Sequence, residues 1–562
     1  MELRRKIARL VVSSLSNRDG DDLSAQFHRL RSEVLELGIG GYAIFGGNVD
    51  STLELVAGLA EEAPQPLLVA SDLERGLGQQ LEGGTVFPTQ MALGATGVAD
   101  LAYAQGWATG REARAAGIGV VLSPVADVAS ELGNPIIGVR SFSGDPQTAA
   151  EMTAAFVRGC QQAGAAATAK HFPGHGDTRL DSHIELPTVD AARSIVDARE
   201  LVPFRAAIRA GVRCIMTAHV AYPGLTRDRT PATLSRAIVT NVLRDQLGFA
   251  GVVITDALVM GAISAGYSDV DAALGALEAG ADILLMPRDV AGTIAGLRKA
   301  VDEGRLSEER VDESVARVDE LRRWLGDYRE IDENHLVFPP ELNGAFGEEE
   351  RPEINHRAEM GGGHEPFAAS IARRAVTLIL DHEHLVPIRS YAGDVGAAAP
   401  EPADASALAV FALGDSDRAV NLVWFRSQLE ARVPGLEIAV SDETIGPSEQ
   451  ADLAIMASEA LMSVVAIFDD VAAWKGRAGP SPELLTIARH LIDMSERVIT
   501  ILFAGPEVAL SLPRKGALLC CYDASPHTQC AAVECLFGER PITGRLPVAL
   551  PPLYGVGWGI RR

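Results

Sequence analysis

The sequence predicts an α/β protein in two parts: an N-terminal (β/α)8 barrel of the TIM type over residues 1–331 and a smaller C-terminal α/β sandwich domain over 367–562. Three observations predict it. Short apolar runs alternate with helical stretches in the first half, a Pro-, Gly- and acid-rich break follows, and a second series of apolar runs begins after the break.

The first series comprises GYAIFGG (41–47), PLLVASD (66–72), GIGVVLSPVADV (117–128), AAATAKHF (165–172), CIMTAHV (214–220), GVVITDAL (251–258) and ADILLMP (281–287). These runs are apolar almost throughout, as strands covered on both faces must be. Seven repeats fit a closed barrel better than an open doubly wound sheet, which is the alternative. The eighth strand has no run of its own, and the N-terminal MELRRKIARLVVSSLSNRDG reads as the first helix.

The charged stretch 307–331 closes the first part, and 332–366 lacks periodicity and reads as a linker. Apolar runs resume at AVTLIL (375–380), ALAVFALG (407–414), SVVAIFDD (463–470), RVITILFAG (497–505) and GALLCCYD (516–523), with an Ala/Pro-rich surface loop at 392–407. A domain of this kind carries no motif that translates into chemistry, so its expected role is packing.

A formal net charge of −25 argues against a nucleic-acid partner, because phosphate backbones require clustered Lys and Arg. The same charge repels anionic membranes. With no signal-type apolar region at the N-terminus and no run near bilayer length, a cytoplasmic location is expected. The six cysteines form no disulfide framework and read as buried small residues rather than a zinc site.

Polar residues gather at the C-terminal ends of the barrel runs: Asp72, Asp127, Lys170 with His171, His219 and Asp256. In a parallel barrel those ends meet at one rim, where loops build active sites. Each could be a helix cap by itself. Five from different strands point to a rim site.

The densest segment is AKHFPGHGDTRLDSHIELP, residues 169–187, with His171, His175, Asp177, Asp181 and His183 around Pro173, Gly174 and Gly176. This composition excludes a regular helix and places the polar groups on a long loop. A metal reading of His171, His175, Asp177 and His183 is disfavoured, since His171 and His175 would face together only on a helix. No metal or cofactor is expected.

KHFPGHGDT followed by DSH resembles the β-N-acetylglucosaminidase branch of glycoside hydrolase family 3. NPIIGVRSF (134–142), GVVITDAL (251–258) and FGERPITGRLPVALP (537–551) carry the same resemblance. It implies a retaining exo-β-N-acetylglucosaminidase with Asp256 as nucleophile, His183 as general acid/base and Asp181 as its orienting partner. It also implies that Asp72, Arg140, Lys170 and His171 grip the terminal sugar, with His219, Asp127 and Glu74 as secondary candidates, and that His175 and Asp177 shape the loop. A structural ion pair is the other reading of Arg140.

Two positions depart from the family pattern: Arg75 in DLERGLGQQ stands where a glycine is usual, and Ala257 follows the nucleophile position. Muropeptides or chitin-derived fragments are the implied substrates. Alternatives are phosphorolysis with inorganic phosphate as acceptor, β-glucosidase or xylosidase activity, and a catalytically silent sugar-binding protein. Aglycone and oligomeric state are not legible in the sequence.

Overall fold

The structure is a computed structural model that describes residues 2–16, 22–327, 363–388, 407–416, 421–469 and 476–562. The expected linker falls mostly outside the described residues, as does most of the Ala/Pro-rich loop.

The first compact unit is built on eight parallel strands: β1 (Val11–Ser16), β2 (Gly41–Phe45), β3 (Leu68–Ser71), β4 (Val120–Val121), β5 (Ala166–Phe172), β6 (Cys214–Thr217), β7 (Val252–Thr255) and β8 (Leu284–Leu285). Each pairs with its sequence neighbour from β1 to β7, and β1 also pairs with β8. The seven expected runs are β2 to β8. The missing strand lies within the segment read as helix: a helix, Leu3–Ala8, is there, but VVSSLS after it forms β1. Three serines hid it, although Val11, Val12 and Leu15 are buried.

Closure between β7 and β8 uses little regular ladder. Ile254 bridges Ile283, and the amides of Asp282 and Ile283 both donate to the Val253 carbonyl, at 2.7 and 3.0 Å. The fully buried Asp282 carboxylate reinforces the seam. It accepts from the Val253 amide (3.0 Å), Arg244 Nη2 (2.5 Å), Ser314 Oγ (2.7 Å) and Arg317 Nη1 (3.0 Å). Charge-assisted bonds of this kind are strong only while every partner is present.

The second unit holds β9 (Thr377–Asp381), β10 (Leu408–Gly414), β11 (Ile438–Ser441), β12 (Met462–Phe468), β13 (Val498–Phe503) and β14 (Ala517–Cys520). They form one sheet in the order β11-β10-β12-β13-β14-β9, parallel except for β9, which runs antiparallel to β14. Phe425, Phe468 and Phe503 pack in its core, the last two stacked with centroids 4.6 Å apart. The five expected runs are the buried strands. Strand β11 went unread because it is an edge strand, half-exposed along its length.

Packing does not divide the chain at a single point. The first unit comprises Met1–Phe87, Ala99–Ile137 and Pro146–Phe367; the second comprises Pro88–Val98, Gly138–Asp145 and Ala368–Arg562. The two short segments are held by the second unit's own residues: the Thr89 amide donates to Asp523 Oδ2 at 2.8 Å, and Ser143 Oγ to the Pro547 carbonyl at 2.5 Å. Among the described residues no helix is long and apolar enough to cross a membrane.

Asp282→Ala is expected to lower the unfolding free energy by about 3–5 kcal/mol, because it strands buried guanidinium charge at the barrel seam. A urea midpoint equal to wild type would show that the seam does not depend on this carboxylate.

Candidate functional site

Asp72, Asp127, Lys170, His171, His219 and Asp256 all stand at or just beyond the C-terminal ends of strands β3 to β7. Strand β5 is buried over all seven residues although Lys170 and His171 stand among its last three. Both groups are therefore compensated.

Lys170 Nζ lies 2.6 Å from Asp72 Oδ1 and 2.7 Å from Glu74 Oε1, and both Lys170 and Glu74 are buried. Asp72 is the most exposed of the three, with 29% of its side chain accessible. Arg75 turns back on its own loop, its Nε donating to the Phe87 carbonyl at 3.2 Å.

His171 Nδ1 meets Asp127 Oδ2 at 2.8 Å, and the backbone amides of His171 and His175 donate to Asp127 Oδ1 at 3.2 and 2.7 Å. Burial works to raise the Asp127 pKa. The charge of His171 and these hydrogen bonds outweigh burial and hold the carboxyl below its ordinary range.

The loop after β5 then folds on itself. His175 is buried, with Nδ1 2.9 Å from Thr178 Oγ1 and Nε2 2.8 Å from Ser182 Oγ. Asn134 clamps the same turn: its Nδ2 donates to the His175 carbonyl at 2.8 Å while its Oδ1 accepts from the amides of Ile136 and Ile137. Asp177 pairs with Arg199. Burial first, then the charge of His171, pushes His175 down to about 4, so it is a neutral strut at physiological pH.

Asp181 is buried and accepts from the His183 amide at 2.9 Å, and its Oδ1 lies 2.7 Å from His183 Nδ1. A carboxylate acceptor at Nδ1 keeps the proton there, so proton exchange falls to Nε2. The His183 side chain is 23% accessible. Its loop is stitched to the segment after β7: the Gly261 amide donates to the His183 carbonyl (3.0 Å) and the Ala262 amide to that of Ser182 (3.1 Å). A Cβ on Gly261 would lie 2.4 Å from the Ile184 carbonyl oxygen, so the approach requires glycine.

Asp256 is partly buried, and its Oδ1 accepts from the Ala257 amide at 2.8 Å. Burial raises its pKa, but His171, His219 and His183, with the Ala257 amide, prevail and keep it below the ordinary carboxylate range. His219 is buried, with Nε2 3.1 Å from the Ala257 carbonyl and Nδ1 2.8 Å from Thr233 Oγ1. Since that carbonyl can only accept, Nε2 carries the proton. Burial lowers the His219 pKa against the pull of Asp256.

The structure thus gathers ionisable groups from β3 to β7 and their loops. Arg140 ends the 3₁₀ turn Gly138–Arg140, in a segment that packs with the second unit. The four groups considered as metal ligands are each committed elsewhere: His171 to Asp127, His175 to Thr178 and Ser182, Asp177 to Arg199, and His183 to Asp181. Sequence reasoning missed Asn134, Thr233, Ser182 and Gly261. Asn134 heads the quoted NPIIGVRSF motif and Ser182 is the middle residue of the quoted DSH, whereas Thr233 and Gly261 carry no signal apart from the fold.

The family model described as glycosyl hydrolase family 3 N terminal domain matches residues 2–321. A β-hexosaminidase A of Pseudoalteromonas piscicida is 36% identical over 347 residues, 55% of this chain and 58% of that protein. A β-hexosaminidase of Tolumonas auensis is 39% identical over 266 residues, 46% of this chain and 78% of that protein. The solved structure of a glycoside hydrolase family 3 β-N-acetylglucosaminidase from Paenibacillus sp. str. FPU-7 is 30% identical, with TM-score 0.78, covering 97% of this chain and 98% of that one.

His175 gives a pH prediction. Its folded-state pKa is depressed, so the unfolded chain binds the extra proton and stability falls as pH drops from about 6.5 toward 4. The expected loss is roughly 3 kcal/mol across that window. Urea unfolding between pH 7 and 4.5 is expected to show a shallower fall for His175→Gln than for wild type. Parallel curves would mean that His175 is not buried in its neutral form.

Proposed function

The chain belongs to glycosyl hydrolase family 3, and from that premise we propose that it is an exo-β-N-acetylglucosaminidase that releases terminal N-acetylglucosamine with retention of configuration. The observation that carries this reading is the Asp181–His183 pair, linked at 2.7 Å, on the same rim as an Asp256 whose ionised form is favoured by three histidines.

In this reading Asp256 attacks the anomeric carbon while His183 Nε2–H protonates the departing oxygen, giving a glycosyl-enzyme and the free aglycone. Asp181 stabilises the imidazolium and holds the ring. His183, now neutral, then takes a proton from water as the water oxygen attacks the anomeric carbon and frees Asp256. One imidazole serves both steps because it donates a proton as the cation and accepts one as the neutral ring. The Ala257 amide and the three histidines keep Asp256 anionic and thus nucleophilic.

Asp72, Lys170 and His171 are the proposed sugar-binding groups of the barrel. Glu74 and Asp127 act through them, as the buried partners of Lys170 and His171, and His219 flanks the nucleophile. The proposed substrates are muropeptides or chitin-derived fragments, met in the cytoplasm.

An aryl β-N-acetylglucosaminide tests the assignment. Asp256→Ala is expected to abolish turnover. His183→Ala is expected to lose roughly 10²–10⁴-fold on a poor leaving group and far less on a dinitrophenyl glycoside, which departs without a proton. The first product seen by NMR is expected to be the β anomer. An α anomer would refute retention, sugar 1-phosphate as the main product in phosphate buffer would replace hydrolysis by phosphorolysis, and faster turnover of a 2-hydroxyl sugar would move the enzyme to the glucosidases.

A further inference from the structure

Glu200 is a buried ionisable group that the proposed reaction leaves unused. It stands immediately before the helix Leu201–Arg209 and is fully buried, yet its carboxyl does not cap that helix. Its Oε1 lies 2.5 Å from Arg199 Nε, and the same guanidinium reaches Asp177 through Nη2. Its Oε2 is buried with no hydrogen-bond partner among the described residues.

The Pro173–His175 turn rests on this carboxyl. A Cβ on Gly174 would lie 2.7 Å from Glu200 Oε2 and 3.1 Å from the Tyr222 hydroxyl, and that hydroxyl donates to the Gly174 carbonyl at 2.7 Å. The charged and titratable groups facing Glu200 are Arg199, Asp177, Asp127 and Tyr222. The Arg199 guanidinium is divided between Asp177 and Glu200 there. A neutral carboxyl fits such a site, whereas a carboxylate would leave Oε2 desolvated against backbone.

We propose that Glu200 is a positioning residue for the acid/base loop: as a carboxylic acid it props the Gly174 turn, and its ionisation loosens the loop that carries Asp181 and His183. The link to that pair is continuous, since His175, next to Gly174, holds Ser182 through Nε2, and Ser182 lies between Asp181 and His183 in the chain. Burial is the main force on the Glu200 pKa. It prevails over Arg199, with Asp177 and Asp127 assisting, and raises the group to about 7. The unfolded chain ionises it near 4.5. The stabilisation from the buried acid is therefore complete below that value and is lost as pH rises toward 7.

The proposal rests on the function proposed above, and two measurements separate the two. Hydrogen exchange of the 173–187 peptide, corrected for intrinsic rate, reads the loop without any substrate. Protection in wild type is expected to fall about tenfold between pH 6 and 8.5, and Glu200→Gln, which stays neutral, is expected to remove that dependence. With a dinitrophenyl β-N-acetylglucosaminide, kcat/KM of wild type is expected to fall as pH rises through about 7, while that of Glu200→Gln holds to higher pH. The leaving group needs no proton from His183, so His183 contributes no such limb. Asp177→Asn retains Glu200 but frees Arg199 for it, and is expected to move both pH dependences downward. Exchange profiles with the same pH dependence in wild type, Glu200→Gln and Asp177→Asn would overturn the role of Glu200. Absence of wild-type turnover would instead overturn the proposed function, and the exchange data would still decide on Glu200.

Discussion

Asp127 is buried and accepts three hydrogen bonds from the segment that leaves β5: the His171 amide, the His175 amide and His171 Nδ1. Both ends of the first turn of the long loop are thereby tied to one carboxylate on the neighbouring β4 side of the barrel. A buried anion with three donors is stable as long as it keeps them. The orientation of His171, the placement of His175 and hence the course of the chain to Asp181 and His183 follow from that anchor.

Farther along the loop, rigidity comes from backbone contacts. Gly261 and Ala262 receive the carbonyls of His183 and Ser182, and the Val189 and Ala221 amides donate to the Ala221 and Pro187 carbonyls, each at 2.9 Å. The proposed acid/base thus sits on a loop fixed at its start by Asp127, in its middle by the segment after β7 and at its end by the segment after β6. Proton transfer demands tight placement of the group that delivers the proton, and a loop held at one end only would not supply it.

The carboxyl groups of this barrel differ in protonation because their surroundings differ. Asp256 has three imidazoles and an amide, and remains an anion. Glu200 shares a single guanidinium with Asp177 and has one oxygen without a donor, so burial governs it. Opposite displacements of two similar groups in one barrel allow the proposed nucleophilic role of Asp256 and the proposed structural role of Glu200 to coexist at neutral pH.

Apolar runs covered on both faces made seven barrel strands and five of the second sheet's strands readable, because a buried parallel strand has little choice of composition. Strand β1, with its serines, and the half-exposed edge strand β11 lacked that constraint. The course of 173–183 as a loop after the strand that carries Lys170 and His171 was readable because Pro and Gly exclude a helix there. What the sequence by itself determined is which strands carry which reactive groups to one rim. Only the tertiary structure decided that 88–98 and 138–145 pack with the second unit, that Asn134 and Gly261 hold the loop, and that Glu200, in ARELVPF an ordinary charge at a helix start, is buried beneath Gly174. Burial and donor count depend on contacts between segments far apart in the chain, and no local pattern of residues encodes them.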